Sequence, residues 1–188
     1  MNENISEVQK LTHARVLDLN LSALFSSSTV GHRESIRRDM IRQHKNSLTI
    51  DEIEKVQNLD LIPKSEKIFF SISHHQNLGG YTASDLAHGF DIELKSRISE
   101  SIVRRVSTAL EVSEAPDIQF LWCAKESIFK AISDPQLIIS DLHVGNWSSQ
   151  NKTGLWSFRI ESNKALELNR NIGFVFHDND QIFSIFFK

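Results

Sequence analysis

The chain has 188 residues, 40% hydrophobic and 24% charged, with a net charge of −3 and a pI of about 6.2. That is enough chain to bury a core as one domain or two small ones, and the balance excludes a strongly basic nucleic-acid binder. A single Cys excludes an intrachain disulfide framework, and no apolar run approaches the ~20 residues of a membrane span. The polar start "MNENISEVQK" lacks the apolar stretch of a secretory signal, so a cytoplasmic protein is expected.

The elements follow in chain order. "HARVLDLNLSALF", 13 to 25, alternates apolar residues at Val16, Leu17, Leu19 and Leu21 as a strand would. "SSSTVGHRES" is loop-like. Residues 32 to 45, "HRESIRRDMIRQHK", lack Gly and Pro and predict a basic helix, with five Lys or Arg against two acids. Residues 49 to 59 predict a second helix, opened by a Thr49–Glu52 capping box. "KIFFSIS" is a strand, "HHQNLGG" a turn and "YTASDLA" a returning strand.

His88 opens a second, comparable half. "FDIEL" is a strand. Residues 99 to 110 predict a helix capped by Ser99. Residues 117 to 132 predict the strongest helix, with Asp117 as cap and Pro135 ending it. Strands are expected in "IISDLHVGNW", "GLWSFRIES", "NIGFVFHD" and "QIFSIFFK". Strand, helices, then strands in each half, 1–87 and 88–188, predict an α+β fold, and suggest a duplicated unit packed face to face. No sequence repeat is legible.

Two spacings carry chemistry. In "HGFDIEL", Asp91 and Glu93 are two apart on a strand and so project from one face. They are either a solvated polar face or two ligands for a hard cation such as Mg²⁺, which takes carboxylate oxygens with phosphates and waters. On the helix 117 to 132, Leu121, Ala124, Ile128 and Ile132 form an apolar stripe. Glu126 and Lys130 stand one turn apart on another face, and alone they would be a surface pair. Lys125 lies at the stripe's edge, where it could snorkel over the core. Cys123 lies off the stripe with no partner to make it a nucleophile.

Three blocks together are more specific. "FSISHH" (70 to 75), "GFDIE" (89 to 93) and "WCAKESIFKA" (122 to 131) resemble, in order and spacing, the signature blocks of the 4′-phosphopantetheinyl transferases. These read F-N-x-S-H-S, G-I-D-I-E and W-x-x-K-E-x-x-x-K. "HRESIRRDMIR" is similar to the family's upstream helix. The match covers about residues 32 to 132 and is nearer the two-halved surfactin-type members than the short trimeric holo-carrier-protein synthases. Departures are "AISDPQL", where surfactin-type members carry a Gly-Lys-Gly-like turn, Phe90 in place of Ile, and His75 in place of the second Ser.

The resemblance implies a fold of two similar α+β halves forming a pseudo-dimer, with coenzyme A in the cleft between them. It implies transfer of phosphopantetheine from coenzyme A to a serine of an apo acyl or peptidyl carrier protein, releasing adenosine 3′,5′-bisphosphate. Asp91 and Glu93 would hold Mg²⁺, which Mn²⁺ could replace. Glu126 would be third metal ligand, general base or both. Lys130 would steady charge on the pyrophosphate. Arg33, Ser73 and His74 would contact coenzyme A phosphate, with Lys125 a further candidate and Lys64, in "PKSEK", answering to a family lysine. Arg37, Arg38 and Arg42 read as a solvated or carrier-facing surface. A monomer is expected, with neither nucleic acid nor membrane as partner. The rivals are a catalytically silent coenzyme A or carrier-binding module, and a metal-dependent hydrolase using water in place of the serine.

Overall fold

The computed structural model describes residues 1–23, 29–46, 48–57, 68–75, 78–150, 154–161 and 170–188, less the side chains of residues 22–23, 29–32 and 55–57. The architecture is α+β. The first half contains α1 (Asn2–Thr12), β1 (Leu17–Ala23), α2 (Thr29–His44), α3 (Ile50–Gln57), β2 (Phe69–His75) and β3 (Leu78–Ser84). The second contains β4 (His88–Leu94), α4 (Glu100–Arg105), α5 (Ala109–Glu114), α6 (Ile118–Ile132), β5 (Val144–Ser149), β6 (Trp156–Ile160), β7 (Ile172–Asp178) and β8 (Gln181–Phe187). No described helix is long and apolar enough to cross a membrane.

The strands form two antiparallel sheets, a three-stranded one in the order β1-β3-β2 and a five-stranded one in the order β4-β8-β7-β6-β5. In both, the strand that comes first in the chain pairs with the last, and the last pairs with its predecessor. Alternation along the strands sorts side chains into layers. Phe70, Ile72, Tyr81 and Ala83 form one core with Ile36 and Met40 of α2. From the opposite face of that sheet, Leu17, Leu19, Leu21 and Leu78 meet Phe90, Ile92, Phe174, Phe176, Phe183, Ile185 and Phe187 of the larger sheet. The larger sheet's outer face packs Val175, Ile182 and Phe186 against Leu121, Ala124 and Ile128 of α6. The two sheets therefore share their central core.

Several elements differ from expectation, each for a local reason. α1 looks polar, yet Asn4, Val8 and Thr12 are buried, and Val8 joins the core between the sheets. α2 begins inside the expected loop, at Thr29. β2 runs on through His75 and β3 starts at Leu78, so "LGG" is strand. Gly80 is needed there, because a Cβ would stand 2.3 Å from the Asn20 carbonyl oxygen of β1. The helix expected over 99 to 110 is two short helices, because Thr108 and Glu111 form a capping box that starts α5. Ser99 sits at the N-cap of α4 without a side-chain cap bond. α6 is capped by Asp117, which accepts from the Gln119 N–H at 2.9 Å. It ends at Ser133 in the left-handed region, φ 52°, before Pro135 is reached. "IISD" forms a 3₁₀ turn over Ile139–Asp141, and β5 begins only at Val144. The Thr49–Glu52 box is present: the Glu52 carboxylate accepts from the Thr49 N–H at 2.7 Å, and Thr49 Oγ1 accepts from the Glu52 N–H at 3.3 Å.

Candidate functional site

β4 and α6 build the site. Phe90 and Ile92 of β4 are fully buried in the core between the sheets, so Gly89, Asp91 and Glu93 turn the other way, toward α6. Gly89 lets the two elements approach closely: a Cβ there would lie 2.1 Å from the Ser127 carbonyl oxygen and 2.4 Å from the Ala131 nitrogen. The shared buried face of α6 locks its rotation, and Glu126 and Lys130 lie half-buried beside β4.

Lys130 Nζ donates to Asp91 Oδ1 at 2.7 Å and to Ser73 Oγ of β2 at 2.9 Å. Ser73 Oγ in turn donates to Asp91 Oδ1 at 3.0 Å and accepts from the Ile92 N–H at 3.1 Å. One position earlier in the row, Ser71 Oγ accepts from the Phe90 N–H at 2.8 Å. The free edge of β4 is thus bonded to the hydroxyls of β2, and Asp91, Ser73 and Lys130 form a closed triangle. Asp91 is 4% exposed at its side chain and Lys130 29%. Asp91 Oδ2 is buried with no hydrogen-bond donor.

The electrostatics are those of too many carboxylates for one ammonium. Burial, then the charge of Asp91, pushes the Glu93 carboxyl up to about 7, against the opposing charges of Arg97 and Lys130. Burial and Asp91 also raise Glu126. Cys123, fully buried, is raised by burial and by Asp91 and Glu93, which keeps it a thiol and a packing residue. Burial and the charge of Asp91 thus favour the protonated forms of Glu93 and Glu126. The buried, donorless Asp91 Oδ2 and the all-oxygen donor set fit a hard divalent cation. Among the described residues, no three His, Cys, Asp or Glu side chains converge closely enough to hold a metal by themselves.

The remaining expected contacts are distributed differently. Lys125 is withdrawn from the coenzyme A set. It is fully buried and pairs with Glu111 at 2.7 Å, while also donating to the Val106 and Leu142 carbonyls. All three protons of its ammonium are used inside the second half. Burial lowers Lys125, opposed by Glu111. Burial would raise Glu111, but Lys125 and the Thr108 and Val144 N–H groups outweigh it and leave it lowered. His74 lies on the α2 side of β2, half-buried and opposite in direction to Ser73. Arg33 is exposed on α2, and no described contact joins it to the triangle. Arg42 pairs with Asp39 at 3.1 Å on the surface. Lys64 and the His32 side chain lie outside the described residues. A cavity of about 550 Å³ lies elsewhere, between α1, β1 and the end of α2, lined largely by neutral polar groups such as Asn2, Gln9 and Asn20. It lacks the concentrated charge of the β4–α6 site.

Two residues near the site have no assigned role in the sequence reading. His75 is buried on the same face of β2 as Ser71 and Ser73, and Arg97 ends the 3₁₀ turn Lys95–Arg97 that follows β4. The period-two row Ser71, Ser73, His75 in "FSISHH" is the signal that points to His75. No family model matches the chain, and no curated protein matches it.

Proposed function

We propose that the chain is a 4′-phosphopantetheinyl transferase, moving phosphopantetheine from coenzyme A to a carrier-protein serine. One observation carries the reading. Three sequence blocks that resemble that family's signatures, far apart in the chain, meet in the Ser73–Asp91–Lys130 triangle, at 2.7 to 3.0 Å. The shared strand order of the two sheets is what a duplicated, pseudo-dimeric fold of this family would have, and coenzyme A would lie where the halves meet.

Asp91, Glu93 and Glu126 would hold Mg²⁺ or Mn²⁺. Such a cation, when bound, neutralises pyrophosphate charge and draws off the leaving group's electrons. The serine Oγ attacks the phosphorus that bears pantetheine. An O–P bond forms, the anhydride P–O bond breaks, and adenosine 3′,5′-bisphosphate leaves. Glu126 is suited to take the serine proton, since its raised pKa brings it nearer to neutral pH than an exposed carboxylate. Lys130 can exchange its bond to Asp91 for one to a phosphate oxygen as charge develops. Positioning and charge neutralisation are most of what phosphoryl transfer asks of a protein. A monomer acting in the cytoplasm on an acidic carrier is part of the same proposal, with the basic face of α2 steering the carrier.

The test is intact-mass spectrometry of apo-carrier proteins incubated with the chain, coenzyme A and Mg²⁺. A phosphopantetheine adduct is expected with the wild type and none with Asp91→Ala or in excess chelator. Glu126→Gln should lose about 10²–10⁴-fold in rate. Coenzyme A binding without any adduct across a panel of apo-carriers would favour a silent binding module instead.

A further inference from the structure

The inner face of β2 presents a row of three polar side chains to β4. The first two, Ser71 and Ser73, accept the N–H groups of Phe90 and Ile92. The third, His75, is 5% exposed, and neither ring nitrogen has a hydrogen-bond partner. Buried polar groups are nearly always bonded, and an unbonded one raises the free energy of the state that contains it. A ligand that supplied the missing bond would bind the more tightly for it.

The surroundings narrow what that ligand is. The row runs parallel to β4, so His75 lies toward the C-terminal end of that strand. There the turn Lys95–Arg97 begins. Burial and the positive charge of Arg97 both lower the pKa of His75, while Asp91 raises it. The ring is therefore neutral at physiological pH and offers one N–H. Arg97 is exposed, and its charge acts on both His75 and Glu93. The positive charge of Arg97 acts on the ring, and a cation of that kind favours an anion over a second cation in its neighbourhood. The observations thus favour an acceptor oxygen carrying negative charge.

We propose that His75 and Arg97 together receive a phosphate oxygen of the coenzyme A pyrophosphate. This rests on the coenzyme A reading above, and it adds two binding residues to that site. His75 donates one N–H, and Arg97 adds a charge-assisted bond. The two would add donors to the one that Lys130 brings to the same row at Ser73.

The experiment follows the imidazole directly. The full chain is labelled with ¹⁵N-histidine, and the His75 ring resonances are assigned by their loss in His75→Gln. Coenzyme A, inorganic pyrophosphate and Mg²⁺ are then titrated separately, with calorimetry in parallel. Coenzyme A and pyrophosphate should each move the His75 nitrogens, and Mg²⁺ alone should not. His75→Ser and Arg97→Ala should each weaken coenzyme A binding about tenfold, the scale of one lost charge-assisted bond. Coenzyme A that binds the wild type while leaving the His75 resonances still would overturn this inference and leave the transferase reading intact. Failure of the wild type to bind coenzyme A at all would overturn both. A response to Mg²⁺ without any to pyrophosphate would reassign His75 as a metal ligand and end the proposal.

Discussion

Replacing Gly89 by Ala puts a methyl group where the structure has backbone. The new carbon would sit 2.1 Å from the Ser127 oxygen, 2.4 Å from the Ala131 nitrogen and 3.0 Å from the Ala131 Cα, where ordinary contact begins at 3.4 Å. None of these atoms is the end of a flexible side chain, so α6 as a whole must withdraw by about 1 Å. Overpacking of this kind costs about 1–3 kcal/mol, or a fall in Tm of roughly 2–12 °C for a chain of this size. The second consequence is local. Lys130 reaches Asp91 and Ser73 from α6 at 2.7 and 2.9 Å, so a displacement of this size breaks the triangle's geometry. A misplacement of about 1 Å at a reacting centre lowers turnover by roughly 10²-fold. Calorimetry and the carrier-loading assay, run on the same preparation, measure the two effects. A variant with wild-type Tm and wild-type loading would show that Gly89 does not set the distance between strand and helix.

Three other outcomes are expected. Lys125→Ala strands the Glu111 carboxylate in the interior and should cost about 3–5 kcal/mol in urea unfolding, while coenzyme A affinity of the folded protein stays within twofold or so; a large, selective loss of coenzyme A binding would return Lys125 to the site. Glu93, raised from 4.5 to about 7, keeps its proton in the folded state at pH values where the unfolded chain has lost it. Metal-free stability should therefore fall as pH rises from 4.5 to about 7, by on the order of 2 kcal/mol given its partial exposure. Glu93→Gln should flatten that part of the profile, and coincident profiles between pH 5 and pH 8 would count against the shift. Arg33→Ala should reduce the preference for coenzyme A over dephospho-coenzyme A roughly tenfold, with Arg33→Lys restoring only part because it lacks the paired N–H geometry; equal weakening of both ligands would make Arg33 a structural or carrier-facing residue.

The parts of the fold legible in the sequence are those where one local rule dominates. Asp117 and the stripe Leu121, Ala124, Ile128 define α6, and strict alternation in "FDIEL" separates Asp91 and Glu93 from Phe90 and Ile92. Where a tertiary contact decides, the letters mislead. "LGG" carries the composition of a turn, but Gly80 is glycine because β1 passes against it. α1 reads as polar because only Val8 and a few neighbours on one side are buried, with Thr12 bonding its own helix and Arg170 reaching its carbonyl at 2.7 Å. In the site, spacing alone aligns Glu126 with Lys130 and Asp91 with Glu93. That Lys130 bonds Asp91 depends on how α6 crosses β4. Lys125 was the least legible residue: its partner Glu111 belongs to a helix that begins at a cap inside what looked like one continuous segment.

The bonding of β4 to β2 has a consequence for solubility. β4 is an edge strand of the five-stranded sheet, and an open edge is a template on which another chain can add a strand. Here the outward N–H groups of Phe90 and Ile92 end on serine hydroxyls. A hydroxyl fills the bonding position but offers no backbone to extend, so the ladder stops there. The second half produced alone would lose that seal and uncover the phenylalanines behind it, leaving a sticky edge beside a greasy face. Ser71 and Ser73 thus close this edge to a further strand.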